Sequence, residues 1–392
     1  MKYYSSFTLL ICLSIIVLSS CQTSSEDKVQ DAIETFRTGY APDKRVAIWN
    51  IHWDGETLSG ETNLDHALVP FLEHLDTLGV TYTNQITLLP DASLEGKEFA
   101  LVTISVANIR SDAKHSAELA TQAVMGTPLK VLKKNDTWYL IQTPEGYISW
   151  VDAAGIALKT EEEMLAWQNA EKVIFTELTG HIFLDENESV FISDLVAGNI
   201  LAIEGETRNH VRVILPDGRA GLIRKNQVMA FEAWLNSRST SPENLISTAK
   251  SMMGSPYLWG GTSIKGVDCS GFTKTIFYLN GAIIPRDASQ QIHEGEEVDS
   301  AKNWENLQVG DLLFFGEKAT ADKKERVVHV GMWIGDNSFI HSRGRVRISS
   351  FDPTSPDYDE YELNRYLRTK RIVGKESKHV RNVESMFESI PN

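Results

Sequence analysis

The stretch Gly266-Val267-Asp268-Cys269-Ser270-Gly271-Phe272 sets a cysteine at the point where a helix begins. Phe272, Ile276 and Leu279 fall on one helical face, Asp268 stands where an N-cap belongs, and Asn280-Gly281 reads as a stop. The unpaired N–H groups of a helix N-terminus favour negative charge, so a thiol here is expected to ionise more readily than one in mid-helix. Its base has to come from another element. Over residues 327–334, Val328, Val330, Met332 and Ile334 alternate with Val327, His329, Gly331 and Trp333, which predicts a strand with one apolar face and His329 on the other. A three-residue loop at Gly335-Asp336-Asn337 would bring His341 opposite Gly331, on the face of His329. The pattern is a relay in which His329 takes the proton of Cys269 and His341 orients the ring through its second nitrogen.

Working outward from this core, the polar stretch Asn236-Ser237-Arg238-Ser239-Thr240-Ser241-Pro242 reads as a domain boundary, followed by an amphipathic helix over 243–253. Before it, short strands at 129–132, 138–141 and 147–151 are split by Asn135-Asp136 and Pro144-Glu145-Gly146 turns, and strands at 199–202, 210–214 and 219–223 by Pro216-Asp217-Gly218. This cadence predicts two successive small β-barrels. Upstream, Leu64, Ala67, Leu68, Phe71, Leu72 and Leu75 recur at helical spacing, residues 101–106 alternate as a strand, and 116–124 reads as helical.

The 392 residues exceed one ordinary domain, and 42% hydrophobic residues supply material for several packed cores. A net charge of −15, from 53 acidic and 38 basic residues, lacks the cationic excess that nucleic-acid binding requires. Lys2 precedes an apolar run at 7–18 that ends in Leu18-Ser19-Ser20-Cys21, too short to span a bilayer comfortably but suited to a cleaved secretory leader. The tetrad resembles a lipobox, which implies cleavage before Cys21 and its acylation. Gln22 lacks the aspartate of inner-membrane retention, so the expected location is the outer membrane, facing the periplasm. With Cys12 in the leader and Cys21 carrying lipid, Cys269 is the only thiol left, and it has no cysteine with which to form an internal disulfide. His52, His66, His74, His115, His181, His210, His293 and His379 show no metal-ligand spacing, so neither a catalytic metal nor a cofactor is expected.

The Asp-Cys-Ser-Gly helix start, His-Val-Gly on a strand and a polar residue twelve positions later resemble the NlpC-type cell-wall peptidases, a papain-like family; the likeness is strong over about 245–372. Gly146-Tyr147-Ile148-Ser149-Trp150 is similar to the closing strands of bacterial SH3-like barrels. The resemblance implies an α+β chain of two small SH3-like β-barrels followed by a papain-like C-terminal catalytic domain. The boundaries are a leader at 1–20, a tether at 21–30, a first SH3-like domain with an N-terminal helical elaboration at 31–157, a second at 158–236, the peptidase domain at 243–375 and a tail at 376–392. It implies Cys269 as nucleophile, His329 as base, His341 as the orienting residue, and Tyr257 as a partner of the Cys269 N–H in stabilising the oxyanion.

Within the family, the sequence is most similar to the subgroup with N-terminal SH3-like domains that cleaves γ-D-glutamyl–diamino acid bonds in peptides with a free N-terminal L-alanine. The likeness rests on Arg286-Asp287 in Pro285-Arg286-Asp287-Ala288-Ser289-Gln290-Gln291. It implies Asp287 as the carboxylate for the substrate ammonium, with Glu118, Tyr147, Asp268 and Ser270 as further substrate contacts. Ala288 departs from members that carry serine there, which removes one polar contact. The partners implied are a murein tripeptide or tetrapeptide and the lipid of the anchor, with no nucleic acid, for a monomeric enzyme of cell-wall turnover or recycling. Two other readings stand beside this one: a hydrolase of intact peptidoglycan cross-links or stems, and a non-catalytic wall-binding lipoprotein. An acyltransferase on a permuted relative of the fold would carry its histidine before its cysteine, the reverse of the order here.

Overall fold

The structure, a computed structural model, describes residues 25–387. The leader and the Cys21 anchor lie outside the described residues. The first unit holds helices α1 (Ser25–Tyr40) and α2 (Asp65–Thr77) and strands β1 (Trp49–Trp53), β2 (Thr57–Thr62) and β3 (Thr83–Leu88), ordered β1-β2-β3 with β2 and β3 parallel. Ala67, Leu68, Phe71 and Leu75 bury one stripe of α2 with Val29 and Ile33 of α1 and with Trp49 and Ile51 of β1. The Trp49 indole N–H, carried into this cluster, donates to the Ile33 carbonyl at 3.1 Å. The helix expected as an elaboration of the first barrel therefore belongs to an α/β unit with its own apolar cluster. A second cluster of Ile48, Leu89, Leu132 and Leu140 joins this unit to the barrel.

Strands β4 (Phe99–Val102), β5 (Val106–Arg110), β6 (Leu119–Val124), β7 (Pro128–Asn135), β8 (Trp138–Gln142), β9 (Ile148–Asp152) and β10 (Ile156–Lys159) form one antiparallel sheet, ordered β10-β4-β7-β8-β9-β5-β6. It encloses Val102, Ile109, Leu129, Val131, Ile141 and Val151. The strand read through 101–106 breaks at 103–105, because β4 pairs with β7 and β10 while β5 pairs with β9 and β6. The helix read at 116–124 is instead the strand β6. Its alanines, glutamate and glutamine favour a helix locally, but pairing with β5 and burial of both faces override that propensity.

Helix α3 (Glu161–Asn169), started by a Thr160/Glu163 capping box, leads into a second antiparallel sheet. Its strands are β11 (Lys172–Phe175), β12 (Thr179–Phe183), β13 (Phe191–Val196), β14 (Ile200–Glu206), β15 (His210–Ile214), β16 (Ala220–Arg224) and β17 (Val228–Ala230), ordered β13-β12-β16-β15-β14-β11-β17 around Phe175, Ile182, Leu201, Val213 and Ile223. The two sheets meet where the Ile200 N–H donates to the Met125 carbonyl and Asn199 Nδ2 to the Ser105 carbonyl, both at 2.9 Å.

Helix α4 (Phe231–Ser237) and the expected linker lead to α5 (Pro242–Ser251), which Ser241 caps. The last domain continues with β18 (Thr262–Ser263), β19 (Gly266–Val267), α6 (Cys269–Leu279), β20 (Ala282–Ile283), α7 (Ala288–Gln291), β21 (Glu296–Asp299), β22 (Leu312–Glu317), β23 (Arg326–Gly335), β24 (Ser338–Arg343), β25 (Arg345–Ser350), α8 (Glu360–Arg365), β26 (Tyr366–Arg371) and β27 (Arg381–Asn382). Six of these strands make an antiparallel sheet ordered β21-β26-β22-β23-β24-β25. Helices α5 and α6 cover one face through Leu245, Phe272 and Ile276 against Phe314, Val330, Met332 and Ile340. Phe315, Trp333, Phe339, Phe351 and Tyr366 fill the other. Residues 376–387 are not a free tail. β27 pairs with β20, and Val383, Met386 and Phe387 are buried with Trp167, Phe231 and Trp234 where the domains join, an apolar triplet that the preceding charged residues mask in the sequence.

Gly126 has φ +82°, and a Cβ there would lie 2.2 Å from the Ile200 carbonyl oxygen; Gly254 has φ +81° with open space around it. Gly126→Ala is expected to lower stability by about 3 kcal/mol, combining left-handed strain with a backbone clash, against about 1 kcal/mol for Gly254→Ala. Urea unfolding of the two variants measures the difference; equal losses would show that the contact between the two sheets yields freely.

Candidate active site

The N-terminus of α6 is organised by a buried ion pair. Asp268 caps the helix, its Oδ1 accepting the Gly271 N–H at 2.7 Å and its Oδ2 the Gly260 N–H at 2.9 Å. Arg286, only 1% exposed, donates to both oxygens of Asp268 at 2.6 and 3.2 Å. It also donates to Ser270 Oγ at 3.0 Å and, from Nε, to Thr121 Oγ1 on β6 at 3.0 Å. A neighbouring clamp has Gln122 of β6 accepting the Thr262 N–H through Oε1 and the Thr262 hydroxyl through its carbonyl. The first barrel thereby forms one side of the cysteine's surroundings.

Cys269 is 8% exposed and lies against β23, with the N–H groups of Val330 and Ser270 directed at its sulfur. The pairing of β23 with β24 ends at Met332 and Ile340, and just past that point Ser342 Oγ donates to the Val267 carbonyl at 2.8 Å. The start of α6 thus fits where the two strands part. The hairpin between them closes with a two-residue turn, Asp336-Asn337, both at positive φ, plus a bulge between Trp333 and Gly335, in place of the expected three-residue loop. The bulge compensates for the shorter turn, so the register still aligns His341 with Gly331 and shares a face with His329. His329 Nε2 and His341 Nδ1 are 2.7 Å apart. A Cβ at Gly331 would stand 2.9 Å from the Phe339 ring and 3.2 Å from the His341 Cβ, so the glycine makes room for this pair. Behind it, His341 Nε2 is 3.0 Å from Ser349 Oγ, and Ser349 Oγ is 3.0 Å from Asp359 Oδ2.

Burial decides the charge states. It pushes the Cys269 thiol up to about 12, with Asp268 adding to the rise, and this outweighs the N–H groups that favour the thiolate. The easy ionisation expected of a thiol at a helix start is therefore not found in the resting protein. Burial also holds His329 well below the usual imidazole value, helped by His341, Arg365 and Arg343. Both groups rest neutral.

The pocket over Cys269, of about 430 Å³, is lined by Tyr257, Asp268, Ser270 and Asp287 of the last domain and by Glu118 and Tyr147 of the first barrel. Burial raises the hydroxyls of Tyr257 and Tyr147 above the usual phenol value, with the Asp268 carboxylate adding for Tyr257 and Asp287 adding for Tyr147, so both are hydrogen-bond donors. Asp287 is already paired: Arg45 Nη1, from the first unit, donates to its Oδ2 at 2.7 Å and to Ser289 Oγ at 2.9 Å. Glu118 accepts from the Trp259 indole at 2.6 Å. Of the residues singled out in the sequence, all but His329, His341 and Cys21 line this pocket. The two histidines are not part of its lining, and Cys21 is outside the described residues.

Sequence reasoning missed Arg45, Trp259, Ser349, Asp359 and any role for Arg286. Arg286 had a signal in its place beside Asp287; Arg45 and Trp259 are set by contacts across long stretches of chain, and Ser349 and Asp359 by the side-by-side placement of β24, β25 and the start of α8. His329, His341 and Glu362 bring ligand atoms within 4.8 Å of one another, a spacing a metal ion would accept. The imidazoles, however, bond each other, and Glu362 receives Arg343 and Arg365, so hydrogen bonds and ion pairs account for the cluster.

A thiol at a helix start, an imidazole on the adjoining antiparallel strand and helices over one sheet face define a papain-like thiol hydrolase. Residues 254–368 match the NlpC/P60 family and 105–157 match a bacterial SH3 domain. A γ-D-glutamyl-L-lysine dipeptidyl-peptidase of Bacillus cereus is 34% identical over 261 residues, spanning 64% of this chain and 76% of that protein. Dipeptidyl-peptidase 6 of Lysinibacillus sphaericus is 27% identical over 66% of this chain and 94% of its own length. The crystal structure of an NlpC/P60 family protein from Bacillus cereus aligns with 70% of this chain and 99% of its own, at 27% identity and a TM-score of 0.58. The chain belongs to the NlpC/P60 family, and it is a cysteine peptidase.

The resting charge states make a testable claim. Alkylation of Cys269 by iodoacetamide, followed by peptide mass mapping, is expected to be slow at neutral pH and to keep rising beyond about pH 9, where an ordinary thiol near 8.5 levels off. A plateau already reached at neutral pH would reveal a preformed thiolate.

Proposed function

We propose that the protein hydrolyses the γ-D-glutamyl–diamino acid bond of murein peptides that carry a free N-terminal L-alanine, with Cys269 as nucleophile and His329 as base. One observation carries this reading: Cys269 shares a single pocket with Asp287, Glu118 and Tyr147, two acids and a phenol contributed by separate domains. The name of the γ-D-glutamyl-L-lysine dipeptidyl-peptidase of Bacillus cereus supports the bond type. In the reaction, His329 accepts the thiol proton as sulfur adds to the γ-carbonyl carbon. The Cys269 N–H and the Tyr257 hydroxyl stabilise the oxyanion, and the imidazolium then returns the proton to the departing amine. Water cleaves the resulting thioester by the same base, releasing the dipeptide acid. Glu118 and Asp287 receive the ammonium of the alanine. Because Arg45 already balances part of the Asp287 charge, discrimination rests on both acids and on the walls that close the pocket, and Asp287 alone does not carry it.

Cys269→Ala and His329→Ala are each expected to lower turnover of L-alanyl-γ-D-glutamyl-diamino acid tripeptide by roughly 10⁴-fold or more, read by mass spectrometry of the products. N-acetylation of the alanine should reduce turnover by about 100-fold, since an amide offers no charge to the two acids. Asp287→Ala should slow the free-amine peptide and narrow that gap. Equal rates on free and acetylated peptides would make the enzyme a hydrolase of intact wall.

The proposed location is the outer membrane, through a lipid on Cys21, with the enzyme facing the periplasm. Cys21→Ser is expected to move the protein to the soluble periplasmic fraction with unchanged peptidase activity; membrane retention of the variant after fractionation counts against the anchor.

A further inference from the structure

Behind His329 the hydrogen bonds run in a line whose direction can be worked out from its far end. Asp359 sits between guanidinium groups: its Oδ2 accepts from Arg343 Nη2 at 2.9 Å and faces Arg347 Nη2 at 3.4 Å. A carboxylate so placed accepts and does not donate. Ser349 Oγ, 3.0 Å away, therefore gives its single proton to Asp359. Ser349 Oγ also receives Arg347 Nη2 at 3.1 Å, which leaves only acceptor capacity toward His341. At the 3.0 Å contact between them, His341 Nε2 has to be the donor.

A neutral imidazole carries one N–H, so with Nε2 protonated the Nδ1 of His341 is an acceptor. Burial, with Arg343, Arg347 and Arg365 nearby, holds His341 down to about 3, and the ring is neutral. The 2.7 Å contact then requires His329 to donate from Nε2, which leaves its Nδ1 with a lone pair. The opposite arrangement would put a proton on His341 Nδ1 and drive the His329 proton onto Nδ1, removing the nitrogen that a base needs. The charged groups around the pair come from every side: Arg343 on β24, Arg347 on β25, Asp359 ahead of α8, and Glu362 and Arg365 within α8. Glu362 Oε1 is 3.9 Å from His329 Nε2.

We infer that Ser349 and Asp359 are positioning residues that set the tautomer of His341 and, through it, keep His329 Nδ1 unprotonated and available as the base. This rests on the assignment of His329 as base, but the tautomers can be measured without turnover. In the full chain with ¹⁵N-labelled histidine, two-bond nitrogen–proton correlation spectra, assigned with His341→Asn, are expected to show both His329 and His341 protonated on Nε2. Ser349→Ala should mix the His341 tautomers and lower kcat by about 10- to 100-fold with KM and unfolding midpoint little changed, whereas Ser349→Thr, which keeps a hydroxyl, restores both signals. Asp359 also caps α8, accepting the Glu362 N–H, so the serine is the cleaner position to vary. A proton on His341 Nδ1 in the native protein overturns the inference, and so does a Ser349→Ala protein that keeps the native tautomers, whatever its kcat. Native tautomers in a protein that cuts no murein peptide would uphold the relay while removing the proposed substrate.

Discussion

The ion pair between Asp268 and Arg286 is the constraint on which the rest of the site depends. Two full charges out of water are costly unless their remaining hydrogen bonds are met, and here they are met by groups that matter to the chemistry. Asp268 holds the first turn of α6 and the Gly260 loop, while Arg286 holds Ser270 and reaches Thr121 of the first barrel. The position of the thiol and the placement of the barrel wall are thus set by one buried cluster. Removal of either partner leaves an uncompensated charge between two domains, which couples the helix start to the barrel.

The same burial that makes this pair rigid sets the resting chemistry. A thiol and an imidazole near a low-dielectric interior both favour their neutral forms, and the helix N-terminus is too weak to reverse that. Beside the histidines the charge is plentiful but largely matched within itself: Arg343, Arg347 and Arg365 pair with Asp359 and Glu362, and a hydrogen-bonded line runs from Asp359 through Ser349 to His341.

Much of this was legible in the chain itself. The capped start of α6, the apolar alternation of β23 and the twelve-residue step from His329 to His341 are local patterns, and local hydrogen bonding and side-chain periodicity dictate them. The barrel strands were legible for the same reason, being marked by turns at Asp136, Gly146 and Gly218. Where local signals misled, tertiary pairing had overridden propensity: β6 reads as a helix, and residues 381–387 read as a tail, until partners far along the chain bury them.

The sequence by itself determined the class of chemistry, because Cys269, His329 and His341 each stand at a place that the local pattern of their own element marks. Only the tertiary structure decided how that chemistry is charged and bounded. Arg45 meets Asp287 from 242 residues away, Thr121 meets Arg286 from 165, and Asp359 reaches the histidines through Ser349. No periodicity records such meetings, and no single residue carries the burial that raises the thiol and lowers the imidazole. Both are properties of groups brought together by folding and shielded from water in common, and they exist only once the chain has packed on itself.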